Sequence, residues 1–85
     1  MVKIKIKMLS LLKDVIGRDY LDMEVPFGTT LKDLIDKLIY NYNTLAKIME
    51  KIELIVLVNG EKRSMDYKLV DGDEVALMPP ASGGL

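Results

Sequence analysis

Thr30-Leu-Lys-Asp-Leu-Ile-Asp-Lys-Leu-Ile-Tyr-Asn-Tyr42 is the stretch whose pattern decides the fold. Leu31, Leu34, Ile35, Leu38, Ile39 and Tyr42 recur at the three-and-four spacing of a helix and make one continuous apolar stripe. Lys32, Asp33, Asp36 and Lys37 fill the opposite face. The Thr30 hydroxyl is placed to cap the first turn, where the Asp33 carboxylate also favours the positive end of the helix dipole. The pattern loosens over residues 41–43, and Leu45 to Glu50 adds another helical turn. A helix with one apolar side needs an apolar surface to cover, and the flanking segments supply it as strands.

Upstream, Val2, Ile4, Ile6 and Met8 alternate with Lys3, Lys5 and Lys7, the period-two pattern of a strand with one buried and one wet face. The rhythm changes at Leu9. A short helical turn follows, with Leu12, Val15 and Ile16 inward and Gly17 as its stop. Leu21, Met23 and Val25 alternate with Asp22 and Glu24 in a second half-buried strand that ends at Pro26. The short interval between the two favours an antiparallel hairpin.

Downstream, Leu54-Ile-Val-Leu-Val58 is almost wholly apolar, as expected for a central strand covered on both faces. Asn59-Gly60 signals a tight turn. Lys62 to Tyr67 is extended but polar and reads as a weak or edge strand. Asp71-Gly72-Asp73 makes another turn before a last strand, Glu74 to Met78, which Pro79-Pro80 terminates because neither proline can donate to a ladder. The sum is an α+β domain over residues 1–80, a mixed sheet packed on one main helix, with residues 81–85 as a flexible tail.

A chain of 85 residues forms one domain and buries roughly 60–65% of its unfolded surface, which leaves no room for a deep enclosed catalytic cavity. Twelve basic residues nearly balance thirteen acidic ones, so a net charge of −1 gives no general attraction to nucleic acid or anionic membranes. Cys and His are absent, which removes thiolate nucleophiles, disulfides and the commonest general base and metal ligand. The lysine-alternating N-terminus is neither a signal peptide nor a membrane span, and a cytoplasmic location is expected.

Catalytic material in the body is poor. Asp71 and Asp73 are too few for a hard-metal site and read as a solvated turn, so no metal site is assigned. Asp33 and Asp36 share a helix face, as surface carboxylates routinely do. Tyr20, Tyr40, Tyr42 and Tyr67 lack the basic groove of a base-stacking platform. The Lys3, Lys5 and Lys7 row reads as the outer face of a strand, with protection of a sheet edge as its default meaning.

The segment after the last strand differs. Pro79-Pro80 makes a stiff exit, and Ala81-Ser82-Gly83-Gly84 carries almost no side chain. Extended from Pro80 to Gly84, it reaches on the order of 13–14 Å, enough to enter a partner's active site while the body stays outside. Without a Cβ, glycine passes narrow channels and presents the least hindered carboxylate for activation. Ordering this segment costs roughly 1–2 kcal/mol per residue, which docking of the body must offset.

Val58-Asn59-Gly60, then Leu69-Val-Asp-Gly-Asp-Glu-Val-Ala-Leu-Met-Pro-Pro80, then Ser82-Gly83-Gly84 resembles the ending of the MoaD family, the small sulfur-carrying subunits of molybdopterin synthase. The Leu-Leu-Lys-Asp-Val-Ile-Gly17 turn and the Thr-Leu-x-x-Leu helix start extend the likeness over the whole chain. The related thiamine carrier ThiS is generally shorter and lacks the Pro-Pro ending. The resemblance implies a ubiquitin-like β-grasp fold and a carrier that is not an enzyme on its own and binds no cofactor. It also implies two partners, an E1-like adenylating enzyme (MoaB/MoeB type) that uses ATP and a large synthase subunit (MoaE type). Gly84 matches the glycine that is adenylated and converted to a thiocarboxylate, and Gly83 supplies threading freedom. Met78, Leu9 and Pro80 match the partner-facing patch beside the tail, whereas Lys62 stands where an apolar contact is expected.

Leu85 departs from the pattern, because Gly84 followed by a peptide bond has no carboxylate to adenylate. Removal of Leu85, an artefactual extra residue, or a chain that is never activated are the alternatives. Two further functions therefore stand beside the carrier: a small archaeal ubiquitin-like modifier conjugated to lysines, and an inert β-grasp interaction module.

Overall fold

The computed structural model describes residues 1–80, and the expected tail over 81–85, with Gly83, Gly84 and Leu85, lies outside the described residues. Eight elements follow in order: β1 (Val2–Met8), α1 (Leu11–Ile16), β2 (Tyr20–Val25), α2 (Leu31–Asn41), α3 (Asn43–Lys51), β3 (Ile55–Val58), β4 (Glu61–Lys62) and β5 (Glu74–Met78). The strands form one mixed sheet in the order β2-β1-β5-β3-β4. β1 runs antiparallel to β2 and parallel to β5, while β3 is antiparallel to both β5 and β4. This is the β-grasp arrangement, a sheet closed over a helix.

The alternations read from the sequence set the register. Val2, Ile4, Ile6 and Met8 of β1 are buried against Leu31, Leu34, Ile35 and Leu38 of α2, and Leu21, Val25, Val58, Val75 and Leu77 complete the same core. Thr30 closes a capping box: its hydroxyl accepts from the Asp33 N–H at 3.1 Å, and the Asp33 carboxylate accepts from the Thr30 N–H at 3.2 Å. Gly17 stops α1 in the left-handed conformation (φ 83°), with its N–H donating to the Lys13 carbonyl. Asn59 and Gly60, both at positive φ, form the two-residue turn between β3 and β4.

These sequence expectations need correction. The weak strand expected over Lys62 to Tyr67 is only the two-residue β4 at Glu61–Lys62, and a turn in which the Tyr67 N–H donates to the Ser64 carbonyl at 3.1 Å follows it. The lysine row of β1 does not protect a sheet edge, because β2 and β5 pair with β1 on its two sides. Val15 is exposed, and only Leu12 of α1 is fully buried, with Ile16 packed at the core's margin. The turn expected after the main helix is a separate nine-residue helix, α3, because Tyr42 (φ −125°, ψ 89°) breaks the chain between them and redirects Leu45 into the core. The apolar run at 54–58 is not the central strand. That position belongs to β5, whose Val75, Ala76 and Leu77 are all buried, while Ile55 of β3 remains 37% exposed. Finally, Asp73 is not solvated. It is the one buried polar residue of the described chain, at 3% exposure.

Asp73 is held by side chains brought from either side. Its carboxylate accepts from Asn59 Nδ2 at 2.8 Å, from the Tyr67 hydroxyl at 3.0 Å and from the Val70 N–H at 2.9 Å. Asn59 also accepts from the Glu74 N–H at 3.0 Å, so the hairpin turn and the start of β5 are tied together. Donation to Asp73 raises the Tyr67 pKa above its ordinary value of 10.0, and partial burial of the phenol adds to the effect.

Candidate functional site: the outer sheet face and the exit of the last strand

The helices cover one face of the sheet, and the register fixes what the other face presents. Cross-strand partners place Tyr20, Lys7, Ala76, Leu57 and Lys62 in one row that crosses all five strands. On the side toward the chain's exit, Met78 pairs with Ile55, and the Leu9 N–H donates to the Leu77 carbonyl at 3.0 Å, which sets Leu9 beside them. On the other side, Asp22 and Glu74 flank Lys5.

The face therefore has two halves. Lys3, Lys5, Asp22, Glu24 and Glu74 surround a shallow depression of about 580 Å³, where opposite charges stand directly across neighbouring strands. Cross-strand charges of opposite sign stabilise a sheet modestly and leave little net field. Leu9, Ile55, Leu57, Ala76 and Met78 make the second half, which is apolar and adjoins Pro79-Pro80. Met78 is half-buried and stands outside the core cluster, so core packing does not explain it.

The structure thus brings Met78, Leu9 and Pro80 to one end of the sheet, where the chain leaves toward Gly83 and Gly84. Lys62 occupies the far margin of the same face. Ile55, Leu57 and Ala76 were not singled out in the sequence. For Ile55 and Leu57 the signal was the lack of polar alternation in 54–58, which fits an apolar outer face as well as a covered one.

The other carboxylates singled out in the sequence have structural employment. Asp33 belongs to the capping box, Asp36 pairs with Lys32 at 2.9 Å, and Asp71 accepts from the Lys3 N–H at 2.7 Å. The hydrogen bond to Asp36 raises the Lys32 pKa. Among the described residues no group of acidic side chains is arranged to hold a metal ion, and no helix is long and apolar enough to cross a membrane.

Comparison with known proteins agrees with this fold. The ThiS family model matches residues 12–84, and so reaches Gly84 and leaves Leu85 beyond it. A molybdopterin synthase sulfur carrier subunit from Dictyostelium discoideum is 35% identical over 94% of this chain and 94% of its own. The protein of that name from Escherichia coli is 31% identical over 95% and 99%. Among solved structures, SAMP1 of Haloferax volcanii, a small archaeal modifier protein, superposes with a TM-score of 0.83 at 28% identity, over 96% of this chain and 99% of that one. With the family match spanning most of its length and a ubiquitin-like sheet beneath it, the chain belongs to the ThiS family, on its MoaD-like branch.

Proposed function

We propose that the chain is the sulfur-carrier subunit of a molybdopterin synthase, working through Gly84. The observation that carries this reading is the exit of β5. A strand held at the centre of the sheet delivers Pro79-Pro80 beside an apolar patch, with Ser82-Gly83-Gly84 next in sequence. Hydrolysis of the Gly84–Leu85 peptide bond comes first. The freed Gly84 carboxylate then displaces pyrophosphate from ATP on an E1-like adenylating enzyme. Hydrosulfide next attacks the Gly84 carbonyl carbon, forming the C–S bond as the C–O bond to AMP breaks, and leaves a C-terminal thiocarboxylate. The large synthase subunit supplies the active site into which Gly83 and Gly84 thread, and the carrier itself provides binding and reach. Met78, Leu9 and Pro80, with Ile55 and Leu57, form the docking patch whose burial offsets the ordering of the tail. Such a carrier binds no cofactor of its own and works in the cytoplasm.

Intact mass spectrometry of the protein from its native cell tests the proposal. A species ending at Gly84 and carrying the oxygen-to-sulfur mass increase supports it. Only unmodified chain retaining Leu85, under conditions of cofactor synthesis, sinks it.

A second reading is favoured by the likeness to SAMP1. The same activated Gly84 would then be transferred to lysine amines of other proteins. Glycine–lysine isopeptides ending in Gly84, found in digests of the cell's proteins, distinguish this outcome from sulfur transfer.

A further inference from the structure

The apolar patch carries a charge pattern of its own. In the row that crosses all five strands, Lys7 stands on one side of the Ala76–Leu57 pair and Lys62 on the other. Neither takes part in the ion pairs of the described residues, which join Lys13 to Asp19, Lys32 to Asp36 and Arg63 to Glu61. Lys5, one row away, differs, because Asp22 and Glu74 stand opposite it on the neighbouring strands. The ammonium of Lys7 lies 5.8 Å from the centroid of the Tyr20 ring on β2, the strand on the side away from the patch, a contact that leaves its charge unneutralised.

We infer that this surface docks on a protein whose apolar contact is rimmed by carboxylates facing Lys7 and Lys62. The inference rests on the docking patch proposed above and adds the chemistry of the partner. A flat apolar patch two strands wide cannot be covered without drawing both ammonium groups toward the interface. A neutral or basic partner would strip water from them without return, whereas carboxylates restore the interaction and steer the approach. The two lysines are three strand spacings apart, about 14 Å, which exceeds the Debye length of about 8 Å at physiological ionic strength. Each therefore acts on its own carboxylate, and their contributions to the association rate multiply. Lys62, placed where an apolar contact was expected, is on this account a determinant of partner choice.

The test is stopped-flow association of the chain ending at Gly84 with the large molybdopterin synthase subunit of the same organism, at about 0.05 M and about 0.5 M NaCl. Lys7→Glu and Lys62→Glu should each slow association about threefold at low salt, and the double variant about tenfold, with the difference collapsing at high salt. Lys47→Glu, on the exposed face of α3, makes the same change in net charge away from the patch and should leave the rate nearly unchanged. Unaltered or faster association of the double variant, or equal slowing by Lys47→Glu, overturns the inference. Met78→Asp separates it from the docking reading. If Met78→Asp abolishes binding while the lysine reversals do nothing, only the acidic rim is lost. If Met78→Asp also binds normally, the patch is not the docking surface and the inference falls with it.

Discussion

Replacing Asp73 by Ala should destabilise the domain far more than its position in an acidic, glycine-containing turn suggests. The carboxylate is 3% exposed and accepts three hydrogen bonds, from Asn59, Tyr67 and Val70. Hydrogen bonds to a charged group contribute about 1.5–3 kcal/mol each when a buried partner is left behind. Three such bonds overstate the loss, because Asn59 is exposed and its amide returns to water, and because removing the carboxylate relieves the cost of its burial. The expected net loss is about 2–4 kcal/mol. A chain of this size has a total stability of about 4–13 kcal/mol, so the variant should melt about 10–25 °C lower. Asp73→Asn keeps the shape and isolates one bond. Its amide would meet the Asn59 amide donor to donor, and Asn59 cannot flip without giving up the Glu74 N–H. That variant should lose about 1–2 kcal/mol. Urea unfolding followed by far-ultraviolet circular dichroism measures both. If both variants unfold within about 0.5 kcal/mol of the parent, the range of ordinary surface substitutions, then the buried network does not hold the turn and the reasoning is refuted.

Thr30→Ala opens the capping box and should cost about 1 kcal/mol in the same assay, with an unchanged denaturant slope. The raised Tyr67 pKa means the folded state holds that proton more tightly than the unfolded state. The associated stability is complete below pH about 10 and is lost as pH rises through the folded-state value. Tyr67→Phe should remove this component, so the two proteins' melting temperatures should converge between neutral and strongly alkaline pH; a constant gap contradicts the assignment. On the function proposed above, Gly84→Ala in the chain ending at Gly84 should leave melting unchanged while sulfur transfer to the pterin precursor falls on the order of a hundredfold, because a methyl would misplace the carbon proposed to react. Undiminished transfer would mean that Gly84 is not the working residue.

Much of the fold could be read because its signals are local. The lysine alternation in β1, the stripe on α2 and the Asn59-Gly60 turn each declare themselves within a few residues. What escaped depended on what lies across space. An apolar run such as 54–58 is buried on its inner face whatever its place in the sheet, and only the pairing of β5 with both β1 and β3 shows which strand is central. The α3 helix was shortened to a turn because Asn41-Tyr42-Asn43 interrupts the stripe, although Leu45, Ile48, Met49 and Ile52 keep helical spacing and pack on the core. Asp73 looked solvated because its burial is made by Tyr67, six positions away, and Asn59, fourteen away. The candidate site divides in the same way. Met78 was visible from its place before Pro79-Pro80, but Leu57, Ala76 and the two bracketing lysines become one surface only through the register.

The central position of β5 has a mechanical consequence. Its neighbours are β1, parallel to it at the other end of the chain, and β3. A pull on the C-terminus acts along the strand and loads the rungs on both sides together, in shear, so they cannot open one after another like a zipper. A body held in place while its terminus is pulled resists through the hydrogen bonds of both ladders at once. The strand that leads to the end of the chain is thus also the one best able to bear tension, and a pull along it need not unravel the domain.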